Sequence, residues 1–360
     1  MGETTTRNVT HYQASQLLHN KFVVVLGDSI QRSVYKDLVL LLQRDSYLNI
    51  SQLKSKGELS FEHDCLIEGG RQGQMTNGTE YREVRQYRTD HHLVRFYFIT
   101  RVFSRYMQSI LADFKHDLKP DVVIVNSCLW DVSRYSRKWV SEYKENLHQF
   151  FAQLKAILPA ESLVMWNMTM PLGKNIIGGF LVPEIEFMGP MLRFDVIEAN
   201  FYGAKLANAY GLDVLDLHFQ FRFSLHHRMK DGVHWNAVAH RQITCLVLAH
   251  AAQAWGVELP SNTSTAGTHD GSVCAPLNMK PSTFSHTAWQ YGPQYDGYKP
   301  VFYEDGFDSI SQLSAGYLSF VNNDRNTTHN ANNFVMKQKH PKRQYKPYAR
   351  LQQRHHHKNY

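Results

Sequence analysis

A chain of 360 residues that is 43% hydrophobic, 12% aromatic and 20% charged can bury a substantial core, which excludes a wholly disordered polypeptide. Its 21 glycines and 12 prolines follow no period, which excludes collagen-like and coiled-coil architectures. The longest apolar runs, residues 22–26 and 38–42, are too short to span a bilayer, and the formal net charge is +7.

In chain order, the N-terminus is polar and has no apolar core of a signal peptide, so no secretory signal is expected. Met1-Gly2 opens a formal myristoylation pattern, made unattractive by Glu3. Four scattered cysteines are too few for a disulfide framework, and reduced thiols in an intracellular, cytoplasmic or nuclear setting are the expectation. A first strand is predicted over residues 22–26, followed by a helix over 33–42 with Val34, Leu38, Leu41 and Leu42 on one face. Residues 51–90 are richer in glycine and polar residues and alternate weakly around 81–87. They read as an inserted hairpin bordering the functional face.

Further strands are predicted over 93–100, 122–125, 163–167 and 214–217, and helices over 143–158, 194–210 and 237–255. The helix over 143–158 carries Leu147, Phe150, Phe151, Leu154 and Leu158 at helical spacing. Residues 172–189, with four glycines, read as a flexible lid. Short apolar strands alternating with helices predict an α/β fold, a three-layer α/β/α sandwich around a five-stranded parallel sheet.

Composition shifts near Pro260, dividing a domain of residues 1–260 from a low-complexity, largely disordered tail of residues 261–360. The tail holds 11 Lys/Arg against 6 Asp/Glu, and from Arg325 onward it has nine basic residues and no acid. Tyrosines interleave with these cations between Lys337 and Lys358. The partners such a tail can take are RNA, anionic lipid or an acidic partner, set against the commoner outcome of a solvated, solubilising tail.

Two short segments carry the chemistry. The first strand ends in Gly27-Asp28-Ser29 and passes into a helix, so Ser29 is expected at a helix N-terminus, where free amides favour a developing anion. After the last strand comes Asp231-Gly232-Val233-His234. An Asp three residues before a His can hold one imidazole nitrogen and leave the other for a serine. Each segment alone is matched by a bland alternative, a helix cap for the first and a turn for the second. His63, His91, His92, His226, His227 and His240 have no Asp at this spacing in a strand-end context.

Together, a serine after the first strand and Asp-x-x-His after the last resemble the SGNH or GDSL hydrolase pattern. GDSIQR, NSCLWDVSRY, VMWNMTMP, DVLDLH and DGVHW narrow the resemblance to the PC-esterase group of that superfamily, over the whole of residues 17–260. The resemblance implies a triad of Ser29 as nucleophile, His234 as general base and Asp231 as its orienter. It implies an oxyanion hole of the Ser29 amide, an asparagine side chain and a glycine amide. Asn126 is the candidate asparagine, and Gly70 is the candidate glycine among Gly69, Gly70 and Gly73. The sequence departs here from the Gly-x-Asn-Asp form, since aligning Asp131 with its last residue puts Trp130 in the asparagine place.

Arg32, one turn after Ser29, is a candidate for substrate binding, with Asp131 and Asn167. No Cys/His cluster suggests a metal, and a serine mechanism needs no cofactor. The expected function is hydrolysis of an acyl ester, acetyl or short-chain, through an acyl-serine. The alternatives are O-acyl transfer to a hydroxyl acceptor and a non-catalytic binding scaffold with a basic tail.

Overall fold

The computed structural model describes residues 8–136, 138–177 and 180–259. The expected basic tail, and the RNA or acidic-partner reading attached to it, lie outside these residues.

The strands are β1 (Lys21–Gly27), β2 (Cys65–Gly69), β3 (Glu83–Arg88), β4 (His92–Phe98), β5 (Val122–Val125), β6 (Leu163–Asn167) and β7 (Asp213–Leu215). The helices are α1 (His11–Leu17), α2 (Ser29–Leu41), α3 (Ile50–Lys54), α4 (Arg105–His116), α5 (Leu129–Arg134), α6 (Trp139–Ile157), α7 (Gly189–Ala209), α8 (Leu217–Gln220) and α9 (Ala237–Ala254). The strands form one sheet in the order β2-β3-β4-β1-β5-β6-β7. The five expected strands are β4, β1, β5, β6 and β7, and neighbours among them are all parallel.

The expected strand count of five is corrected to seven. The inserted segment supplies β2 and β3, which pair antiparallel with each other and onto β4. Their sequences alternate only weakly because charged residues sit on the buried side. Glu83 and Arg85 of β3 are both fully buried.

Helices cover both faces. Val23 and Val25 of β1 pack with α1, α2 and α9, while Phe22, Val24 and Leu26 pack with α4, α5, α6 and α7. A strand buried on both sides must be apolar throughout, which is why the KFVVVLG segment forms a continuous run rather than an alternating one. The chain leaves β1 through α2 on one face and β4 through α4 on the other. The sheet order therefore reverses beside β1, and a crevice opens at the carboxyl ends of the central strands. None of the helices among the described residues is long and apolar enough to cross a membrane.

Candidate active site

Ser29 is the first residue of α2, and its predecessor Asp28 caps the helix by accepting from the Ile30 amide at 2.9 Å. Gly27 is required by close approach: a Cβ there would lie 2.2 Å from the Gln31 side chain and 2.9 Å from the Asn126 carbonyl oxygen. A glycine exit followed by an Asp cap thus presents Ser29 at the mouth of the crevice, with its amide among those a helix start leaves unpaired. The cap and the serine function belong to adjacent residues and do not compete.

His234 arrives from the other end of the domain, just before α9, and its Nε2 lies 2.8 Å from Ser29 Oγ. Asp231 Oδ2 is 2.8 Å from His234 Nδ1, while Asp231 Oδ1 accepts from the amides of Val233 and His234, both at 2.9 Å. Partial burial alone would raise the Asp231 pKa. The hydrogen bonds from the His234 ring and the two amides outweigh it and bring the value down to about 2. Asp231 is therefore ionised at neutral pH and can only accept, so Nδ1 carries the imidazole proton. Nε2 is left to accept from the Ser29 hydroxyl.

The loop holding this pair is itself braced. Gly232 sits at φ +82°, and a Cβ there would lie 2.3 Å from the Asn175 carbonyl oxygen. The Gly173 amide donates to the Gly232 carbonyl at 2.7 Å, and the Ile177 amide donates to that of Asp231 at 3.0 Å. The start of the expected lid is thus hydrogen-bonded to the Asp231–His234 loop. The helices after the two segments are joined by a buried ion pair, Arg241 Nε of α9 to Asp37 of α2 at 3.0 Å.

The crevice at Ser29 has a volume of about 350 Å³. Phe98, Trp130, Phe180 and Tyr81 form an aromatic wall, with Trp130 edge-on to both Phe98 and Phe180. Arg32 lines it, as the one-turn spacing from Ser29 predicts, but its Nη1 is 3.0 Å from Glu83 in a buried ion pair. Glu83 also accepts from the Tyr81 hydroxyl and from Arg85, which in turn pairs with Asp64. Lys36 of α2 pairs with Glu58. The inserted segment is therefore fastened to the serine-bearing helix by charge. Burial would raise the Glu83 pKa, but Arg32 and the other partners hold it below the usual range.

Four other expected site residues are placed differently. The Gly70 amide donates to the Arg82 carbonyl at 2.9 Å, and its α-carbon packs against Gly57, so it is not free as an oxyanion donor. Asn126 Nδ2 spends its two hydrogens on the Asn167 carbonyl at 2.7 Å and the Thr169 hydroxyl at 3.0 Å. It borders a separate, much smaller cavity of about 20 Å³. Asp131 lies inside α5, accepting from the Val102 amide at 3.0 Å and from the Ser127 hydroxyl. Burial pushes its pKa up to about 7. Asn167 is fully buried and does not border the crevice.

The cleft residues not singled out from the sequence as binders include Arg134, and His240 of α9. His240 is buried, and desolvation, with His234 nearby, lowers its pKa to about 3. Arg134 had a usable signal. It stands four residues after Trp130 on α5, so the two share a face, while Asp131 turns inward.

Comparison with known proteins finds curated relatives of most of this domain. The chain is 57% identical over 258 residues to human PC-esterase domain-containing protein 1A, covering 70% of this chain. It is 53% identical over 250 residues to human PC-esterase domain-containing protein 1B, covering 69% of this chain. The matched region is homologous to the PC-esterase domain-containing proteins. The chain spans 57% of the human 1A protein and 58% of the human 1B protein. No family model matches. Among solved structures, a lipase/acylhydrolase from Enterococcus faecalis aligns with 65% of this chain and 96% of its own, at TM-score 0.37 and 14% identity. An acetyl xylan esterase, AlAXEase, aligns with 64% of this chain and 99% of its own, at TM-score 0.37 and 15% identity.

Proposed function

We propose that this PC-esterase-like domain is a serine hydrolase of acyl esters. The observation that carries the reading is the continuous hydrogen-bonded chain Ser29–His234–Asp231 in the lining of an aromatic-walled crevice. Asp231 fixes the tautomer of His234 and stabilises the imidazolium. His234 Nε2 takes the proton of Ser29 as its Oγ attacks the ester carbonyl. The tetrahedral oxyanion is favoured by the Ser29 amide and the positive end of α2. His234 then gives its proton to the leaving alcohol, and the acyl-serine forms. Water deprotonated by His234 attacks this acyl-serine, and Ser29 leaves with its proton restored.

With Asn126 and Gly70 amide hydrogens already committed, the Ser29 amide is the oxyanion donor of the original three that the reading retains. The expected acyl group, acetyl or short-chain, rests on the resemblance.

Labelling of the full chain with a fluorophosphonate tests the reading, because this probe reports an activated serine whatever the substrate. Labelling is expected in the parent and lost in both Ser29→Ala and His234→Ala. A folded parent that takes no label would sink the proposal. Adding alcohol acceptors to an ester assay then separates hydrolysis from acyl transfer.

A further inference from the structure

The buried cations of this domain fall into two groups. Arg32, Lys36, Arg85 and Arg241 each lie against a buried or half-buried carboxylate. Arg134 does not. It is only 8% exposed, and its Nε and Nη1 are buried without a hydrogen-bond partner. Its Nη2 donates to the Phe180 carbonyl, and its guanidinium lies 4.8 Å from the Trp130 ring and 5.2 Å from the Phe180 ring. No carboxylate among the described residues lies within ion-pair distance of it, although the field of Glu184 reaches it.

A buried guanidinium held between two rings with two nitrogens unpaired is costly unless something completes it. Arg134 lines the same crevice as Ser29 and His234. The crevice is also biased in sign. Lys54 and Lys56 line it, and Lys56 donates to the side-chain oxygen of Asn77 and lies 5.5 Å from the Tyr81 ring. The single acid in the lining, Asp231, is committed to His234.

We infer that Arg134 binds an oxyanion group of the substrate, so that the domain takes esters carrying a carboxylate, phosphate or sulfate in addition to the scissile bond. This rests on the serine-esterase reading for the ester, but the anion site stands on Arg134 alone. The aromatic walls shield the intrinsically planar guanidinium from water, which strengthens a charge-assisted hydrogen bond. Lys54 and Lys56 attract the same charge toward the opening.

The experiment uses the full chain and matched ester pairs. p-Nitrophenyl hemisuccinate against p-nitrophenyl butyrate places the charge on the acyl side, and 4-acetoxybenzoate against phenyl acetate places it on the alcohol side. At least one charged member is expected to exceed its neutral partner in kcat/KM by about tenfold or more after correction for intrinsic reactivity. Arg134→Gln should collapse that ratio toward one, and Arg134→Lys should restore part of it. Equal ratios in parent and Arg134→Gln would overturn the proposal.

Titration of Ser29→Ala with succinate, inorganic phosphate or sulfate, followed by melting temperature and NMR, gives an arm independent of catalysis and ranks the anion types. Saturable binding lost on adding Arg134→Gln supports the site even if no ester is turned over, in which case only the esterase reading fails. If Arg134→Gln does not fold, the parent decides: no charge preference and no anion binding in the parent sinks the inference.

Discussion

Asp231 uses both carboxylate oxygens, one on the His234 ring and one on two backbone amides, and this division predicts the effect of a single atom change. In Asp231→Asn the remaining oxygen stays with the amides of Val233 and His234, and the new NH2 faces Nδ1. Nδ1 must then accept, which moves the imidazole proton to Nε2 and points a donor at Ser29 Oγ. Turnover is expected to fall by on the order of 10⁴ with the fold intact. Ester hydrolysis beside near-ultraviolet circular dichroism checks this, and a variant retaining a tenth of parental activity would refute the tautomer argument. The meeting of Ser29, Asp231 and His234 was legible because each sits in a local context, a strand-to-helix exit and an Asp-x-x-His loop, that sequence spacing encodes. The hydrogen-bond partners of Asn126 and Gly70 were not legible, for a reason of the same scale. A donor's availability depends on its tertiary partners, Asn167 and Thr169 for one and Arg82 for the other, and no spacing reports them.

At the scale of elements, periodicity served where burial is one-sided or complete. Helices α6, α7 and α9 and all five parallel strands lie where the apolar patterns put them, within a few residues. Helix α4 was missed although Met107, Ile110, Leu111 and Phe114 are buried at helical spacing, a signal present but unread. Strands β2 and β3 were only partly legible, since buried Glu83 and Arg85 break the apolar alternation that marks a strand. The geometry of the Asp231–His234 loop depends on a glycine. Gly232→Ala forces an L-residue to φ +82° and drives its Cβ against the Asn175 carbonyl. It is expected to cost about 1–3 kcal/mol and to reduce fluorophosphonate labelling, because Asp231 and His234 must shift with the turn. Gly256→Ala is the matched control, with φ +67° and nothing within 4 Å of the added carbon. Urea denaturation should show the smaller loss there, with labelling unaffected. Equal losses at the two sites would mean that backbone strain alone, without the clash at Asn175, accounts for the effect.

Across the whole domain, charge is buried on both sides of the sheet, and its titration should be visible as two opposing slopes in stability. On the α9 side, His240 has a folded pKa of about 3 against an ordinary 6.5, because burial disfavours its charged form. Between these values the unfolded chain holds more protons at this site, so stability rises with pH. On the α5 side, burial raises Asp131 from 3.8 to about 7. There the folded state holds more protons between the two values, so stability falls as pH rises. Each fully shifted group contributes a slope of at most roughly 1.4 kcal/mol per pH unit. The two contributions overlap between pH 4 and 6.5 and largely cancel in the parent. Removing one exposes the other. Urea unfolding across this range should show Asp131→Asn gaining an upward slope relative to the parent, and His240→Asn gaining a downward one. The comparison is of slopes, so an overall loss of stability in either variant leaves it readable. Parallel profiles for parent and both variants would mean that neither group changes its protonation on unfolding in this window.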